Sequence, residues 1–147
     1  MKSIKKKITR VQLKINHKEE FILFGLVSSD PDYKLSLALN KKFRISLKNV
    51  SPVKITDVTG SELVFSRFSD TSGSPDIMFN LIANSSGKNF LIKKLKNVDY
   101  IFQVLDPEYE NNIDQITHNL REIESVNAVF NIDINTLKDK NLQYLIQ

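Results

Sequence analysis

The sequence predicts an α+β fold. It would hold one antiparallel-dominated sheet of about six to eight strands, with two or three helices gathered on one face, in a single domain spanning residues 1–147. Three observations predict it. Apolar residues recur at period two through most of the chain, which is the spacing of half-buried strands. The period lengthens to that of a helix in only three stretches, residues 29–43, 111–126 and 136–146. Turn-forming residues separate the strands at short intervals, as a meander requires. At 147 residues the chain is long enough to bury a core without staples.

Residues 1–7 read as a basic N-terminal tail. In ITRVQLKI, residues 8–15, Val11, Leu13 and Ile15 share one face of a strand. The polar NHKEE precedes FILFGLVSS, residues 21–29, whose continuous apolar run suits a strand buried on both faces. These two are expected to pair as a hairpin. In SDPDYKLSLALNKKF, Asp30 can cap a helix and Pro31 suits its first position, where a missing N–H costs nothing. Tyr33 with Leu37, and Leu35 with Leu39 and Phe43, recur at four-residue intervals, while Lys41 and Lys42 suit the helix's C-terminal end.

RISLKNV, residues 44–50, reads as a short strand ended by Ser51-Pro52. VKITDV, TGS and ELVFSRF then read as strand, turn and strand, with Gly60 in the turn. DTSGSPD, residues 70–76, is a loop, and DIMFNLIANSS a strand. Gly87 turns the chain into NFLIKKL. In LIKKLKNVDY, residues 91–100, Leu91 and Ile92 close a strand, a polar turn holds Leu95 as its apolar anchor, and Val98 and Tyr100 open the next strand, DYIFQVLD. Asp99 is placed there to accept from backbone N–H groups. Ile113, Ile116, Leu120 and Ile123 line an amphipathic helix, VNAVFNIDI is a strand, and Asn135 is expected to cap a last helix, TLKDKNLQYLI. Strand, helix and strand across residues 99–134 form one βαβ-like unit.

Composition excludes several chemistries. The chain has no cysteine, which removes disulfides, thiolate nucleophiles and cysteine-ligated metal sites, and fits a reducing cytoplasm. The longest apolar run, near residues 21–27, is too short to span a bilayer, and no signal-peptide pattern follows the basic N-terminus. We therefore expect a cytoplasmic chain with no membrane partner. Ser86-Gly87-Lys88-Asn89 fails as a phosphate loop: Ile82 stands where the first glycine belongs, and Asn89 where a hydroxyl residue belongs. The two histidines, His17 and His118, fall in polar positions with no serine elbow in the chain. Asp106, Glu108, Glu110 and Asp114 lack EF-hand spacing and suit the N-terminal end of a helix. No catalytic, cofactor or metal residue is assigned, and the chain reads as non-enzymatic.

The net charge of +4 is divided unevenly. Residues 1–54 carry 13 Lys/Arg against 4 Asp/Glu, and residues 55–147 carry 8 against 13. Lys5, Lys6, Lys7 and Arg10, with Lys2 nearby, are the candidate contacts to a polyanion such as RNA. Phe21, Phe24 and Phe79 are better placed for a core than for stacking bases, and the chain has no tryptophan.

Asp32-Tyr33 with Leu39-Asn40, Leu81-Ile82-Ala83-Asn84, Ile92 followed by Val98-Asp99-Tyr100, and Phe130-Asn131-Ile132-Asp133 together carry a family likeness along most of the chain. It resembles the IPExxxVDY family, small proteins of the Bacteroidota. The resemblance implies motif positions at Tyr33, Asn40, Ile92, Val98, Asp99 and Tyr100, with a structural role. It implies no known activity, cofactor or partner. Lys93 and Lys94 stand where the family has Pro and Glu, so this chain cannot use a catalytic carboxylate there.

The function expected is a non-enzymatic interaction domain, acting as an adaptor for a protein partner or as a homodimer. The alternative is an RNA-associated accessory protein using the basic N-terminal half. The third reading is a small-molecule sensor, because the C-terminal strand, helix and strand are analogous to half of an ACT-like domain. The glycine-bearing ligand loop of such domains is missing between Leu105 and Ile113.

Overall fold

A computed structural model describes residues 21–73, 77–106 and 112–145. The tail at residues 1–7, the strand expected at 8–15, His17, Glu108 and Glu110 lie outside the described residues. Ten elements and one short 3-10 helix follow in order: β1 (Ile22–Ser28), α1 (Asp32–Phe43), β2 (Lys48–Thr56), β3 (Glu62–Asp70), β4 (Met78–Ala83), β5 (Ser85–Ser86), β6 (Asn89–Phe90), β7 (Tyr100–Leu105), α2 (Ile113–Arg121), β8 (Val126–Ile132) and the 3-10 helix Lys140–Tyr144. Six strands form one sheet in the order β2-β3-β4-β7-β1-β8, antiparallel throughout, and β5 with β6 makes a small second sheet. This is the α+β class expected, with both helices packed on one face of the sheet.

Alternation along the strands divides the core in two. Ile22, Phe24 and Leu26 of β1, with Phe79, Leu81, Tyr100, Phe102 and Val104, meet Leu35 and Leu39 of α1 and Ile116 and Leu120 of α2. Phe102 sits between two rings, 6.2 Å from Phe79 and 5.6 Å from Phe43 by centroid. Leu23, Phe65, Ile82, Ile101 and Ile132 line the opposite face. Among the described residues no helix longer than the 3-10 turn covers them. Leu91, Ile92 and Val98 from the β6–β7 connection and Leu145 from the C-terminal segment do so instead.

One row on that second face is polar. Ser69, Asn80 and Gln103 are in register on β3, β4 and β7. The Ser69 hydroxyl donates to Asn80 Oδ1, Asn80 Nδ2 donates to Gln103 Oε1 at 2.9 Å, and Gln103 Nε2 donates to the Leu145 carbonyl. Each amide satisfies its neighbour, which is what burial of polar groups demands.

Several expectations are corrected. β1 pairs with β7 on one side and β8 on the other, so its expected hairpin with residues 8–15 is not its arrangement. The helix starts at Asp32, with Pro31 at the cap position in extended backbone and no side-chain cap, so Asp30 does not cap it. Tyr33 and Leu37 point to solvent, and only Leu35 and Leu39 of the two apolar series are fully buried. The strand expected at 44–50 begins at Lys48 and runs through Pro52. Proline is tolerated there because β2 is an edge strand and its ladder is interrupted by a bulge between Val50 and Val53. Residues 44–47 leave the helix instead, starting with Arg44 in the left-handed region at φ 57°.

NFLIKKL forms a strand only at Asn89 and Phe90, then two successive turns in which Leu95 N–H donates to the Ile92 carbonyl and Val98 N–H to the Leu95 carbonyl. The helix expected at 111–126 stops at Arg121, although Ile123 is still buried beyond it. β7 and β8 are not neighbours in the βαβ-like unit. They run parallel with β1 inserted between them, each antiparallel to it. The last helix is a single 3-10 turn capped by Asp139, whose carboxylate accepts from Asn141 N–H at 2.8 Å. Asn135 sits in a turn organised by Asp133. Asn141 then ties the turn to the Leu91 carbonyl at 2.7 Å.

Candidate functional site

The Val98-Asp99-Tyr100 tripeptide leads into β7 and contributes one buried side chain to each face of the sheet. Alternation sends Val98 to the second face and Tyr100 to the helix face. Val98 lies against Gly25 of β1: a Cβ at Gly25 would stand 2.9 Å from Val98 Cγ2 and 3.4 Å from Ile132 Cδ1. Only glycine lets Val98 approach the strand that closely.

Asp99 uses three groups. Its N–H donates to the Leu26 carbonyl, its carbonyl accepts from Asn84 N–H, and its carboxylate Oδ2 accepts from Ser28 N–H, each at 2.9 Å. It thereby joins β4 to the end of β1. Asn84, fully buried, holds the turn before it: Oδ1 accepts from Ile92 N–H at 2.9 Å, and Nδ2 donates to the carbonyls of Leu95 at 2.8 Å and Val98 at 3.0 Å. Asn40 does the same for the exit of α1, with Oδ1 accepting from Leu47 N–H at 2.7 Å and Nδ2 donating to its carbonyl at 3.2 Å.

On the helix face, the Tyr100 hydroxyl donates to the Asp30 carbonyl at 2.7 Å and so anchors the β1–α1 connection. Burial pushes its phenol up to about 12, helped by the carboxylates of Asp32, Asp99 and Asp30. A cleft of about 600 Å³ opens here, lined by Ser28, Asp30, Asp32, Ser66, Asp99 and Tyr100. Its carboxylates, Asp30, Asp32 and Asp99, repel anions, and a neutral phenol already spent on a carbonyl is neither base nor nucleophile near pH 7.

On the second face, a groove of about 310 Å³ is lined by Leu95, Val98, Ile132 and Leu137 with Lys94 and Asp133 at its polar positions. Phe130 of β8 forms part of its wall and remains 48% exposed. Gly25 pairs with Phe130 across the β1–β8 ladder, so the groove stands beside the strand that carries the motif's apolar contact.

The structure brings Ile92, Val98, Asp99 and Tyr100 together around Asn84 and Ser28, and places Asn40 at the far end of α1. Tyr33 is exposed on the first turn of α1, next to the cleft residue Asp32. Lys5, Lys6, Lys7 and Arg10 lie outside the described residues. Phe24 and Phe79 are buried, which removes them as stacking surfaces. His118 is exposed, with Nε2 3.3 Å from Glu122 Oε2. Among the described residues no three His, Asp or Glu side chains are grouped to hold a metal, and no helix is long and apolar enough to cross a membrane. Sequence reasoning missed Gly25 and the exposure of Phe130. The signal for Phe130 was available, since VNAVFNI is a strand of seven residues without a charge. Set against known proteins, the chain matches no family model, and no curated protein matches it.

Proposed function

We propose that this chain is a non-enzymatic protein-interaction domain of the cytoplasm, of IPExxxVDY type, that binds through the outer edge of β8 and the groove beside it. The observation that carries this reading is Phe130: a large aromatic side chain, 48% exposed, on an edge strand and next to an apolar groove. An exposed strand edge offers unpaired backbone groups to an added strand, and a neighbouring pocket selects its side chains. The motif residues support the reading from below. Their hydrogen bonds are made within the fold, and Val98 shapes the groove floor.

The test is a capture experiment with the full chain and two variants. Phe130→Lys is expected to lose a defined protein partner that the wild-type chain and Leu37→Lys both retain, Leu37 being a still more exposed apolar residue on α1. Equal loss in both variants, or in neither, counts against β8 as the binding edge.

A further inference from the structure

The two edges of the sheet are unlike. β2 carries Lys48 and Lys54, Pro52 and a bulge at Val50–Val53. These are devices that prevent a sheet from growing. β8 has none of them over residues 128–132, which read Ala-Val-Phe-Asn-Ile. Its one irregularity lies earlier, where Val27 pairs with Ala128 but Ser28 pairs with Val126. Among the described residues no strand pairs with its outer side.

We propose that β8 pairs antiparallel with β8 of a second copy of this chain, about a two-fold axis at Phe130, so that the two sheets become one. The proposal rests on the reading of β8 as the interaction edge and names its occupant. A two-fold axis sets each residue opposite its mirror position. Centred on Phe130, it places Ala128 against Ile132 of the partner subunit, Val129 against Asn131 of the partner subunit, and the two Phe130 rings side by side.

Small Ala128 meets large Ile132, two aromatic rings meet at the axis, and no charge meets a like charge. The same operation on β2 would bring lysines onto a shared edge, which cross-strand repulsion disfavours. The groove adds no net charge of its own, because Lys94 and Asp133 are its only charged lining residues. Pairing would cover the exposed part of Phe130 and give β8 the second ladder that every interior strand of the sheet has.

Sedimentation velocity on the full chain, from micromolar to near-millimolar concentration, tests this. A reversible monomer–dimer equilibrium is expected. Phe130→Lys should weaken it about tenfold or more with an unchanged circular dichroism spectrum, and Leu37→Lys should not. The chain has no cysteine, so single-cysteine variants give a clean second measurement. Residues directly opposite in an antiparallel pair are close enough for a disulfide. Phe130→Cys should therefore cross-link on mild oxidation, and Val58→Cys, at the tip of the β2–β3 hairpin, should not.

A chain that stays monomeric at every concentration overturns the proposal. So does a dimer indifferent to Phe130→Lys, or one that cross-links equally through Val58→Cys. If the chain is monomeric but a different protein is lost specifically by Phe130→Lys, the interaction reading stands and only the second copy is refuted. If no protein is lost either, both fail.

Discussion

The carboxylate of Asp99 accepts a hydrogen bond from the backbone N–H of Ser28 at 2.9 Å, across 71 positions of sequence. That bond fixes the end of β1 to the start of β7, just where the chain leaves the sheet for α1. Asp99→Ala removes a charged acceptor and leaves a partly buried N–H without it. The expected cost is about 1–3 kcal/mol, seen as a lower urea midpoint with an unchanged slope. Asp99→Asn keeps an acceptor oxygen and should recover part of the loss. If Asp99→Ala leaves stability intact yet abolishes partner binding, Asp99 belongs to the binding surface instead.

Tyr100 gives the fold a weakness to alkali. Its folded pKa, pushed up to about 12, lies above the ordinary value of 10.0. The unfolded chain therefore gives up this proton first as pH rises. The contribution is fully present below pH 10 and is lost progressively towards pH 12. Tyr100→Phe should lower stability by about 1 kcal/mol at neutral pH, through the lost bond to the Asp30 carbonyl. It should also flatten the wild-type decline between pH 10 and 12, measured by denaturant titration at stepped pH.

Gly25 and Val98 occupy one space. Gly25→Ala should destabilise by about 1–3 kcal/mol, because the new methyl meets Val98 Cγ2 at 2.9 Å. Val98→Ala alone should also destabilise, by opening a cavity. Combined, the two should cost clearly less than the sum of the separate losses, a coupling that a double-mutant cycle reads directly. Strict additivity would mean the backbone of β1 moves away rather than Val98.

Asp70 predicts the behaviour in acid. Burial alone would raise its pKa, but the Ser72 hydroxyl, the amides of Ser46 and Ser72, and the charge of Lys48 hold it below the ordinary 3.8. Its oxygens accept from Ser46 N–H at 2.7 Å and Ser72 N–H at 2.8 Å. The stabilisation is present above pH 3.8 and disappears as pH falls through the folded value. Asp70→Asn should lower stability at pH 7 and make it less dependent on pH between 4 and 2.

Local periodicity made β1, α1, the β2–β3 hairpin, β4 and β7 legible, because each buries a face whose spacing is written in adjacent residues. Where a distant partner decides, the sequence was silent or misleading. Pro52 looked like a strand end because proline is excluded from inner strands, and only the sheet order reveals that β2 is an edge. TLKDKNLQYLI has the composition of a helix, yet Asn141, Asp139 and Leu145 are each held by groups on the second face or the turn above it. The roles of the motif residues were legible only in part. Asp99 was recognisable as a backbone acceptor, but Ser28 as its donor was not. Asn84 gave no hint that it holds three backbone groups of one turn. For Phe130 the one signal was the lack of charge in VNAVFNI; that its strand stands at an edge depends on which strands lie beside it.

In the row Ser69, Asn80 and Gln103, the hydroxyl can rotate and the two side-chain amides can each be turned over, but the Leu145 carbonyl cannot. Because that carbonyl can only accept a hydrogen bond, Gln103 has to turn its N–H towards it and its oxygen towards Asn80, and Asn80 in turn presents its own oxygen to Ser69. A single polarity is imposed from the last described turn of the chain across three strands. Pulling Leu145 out of place, as a rigid fusion at the C-terminus would do, should therefore be felt at Ser69, where an orientation would become ambiguous in the middle of an otherwise undisturbed sheet.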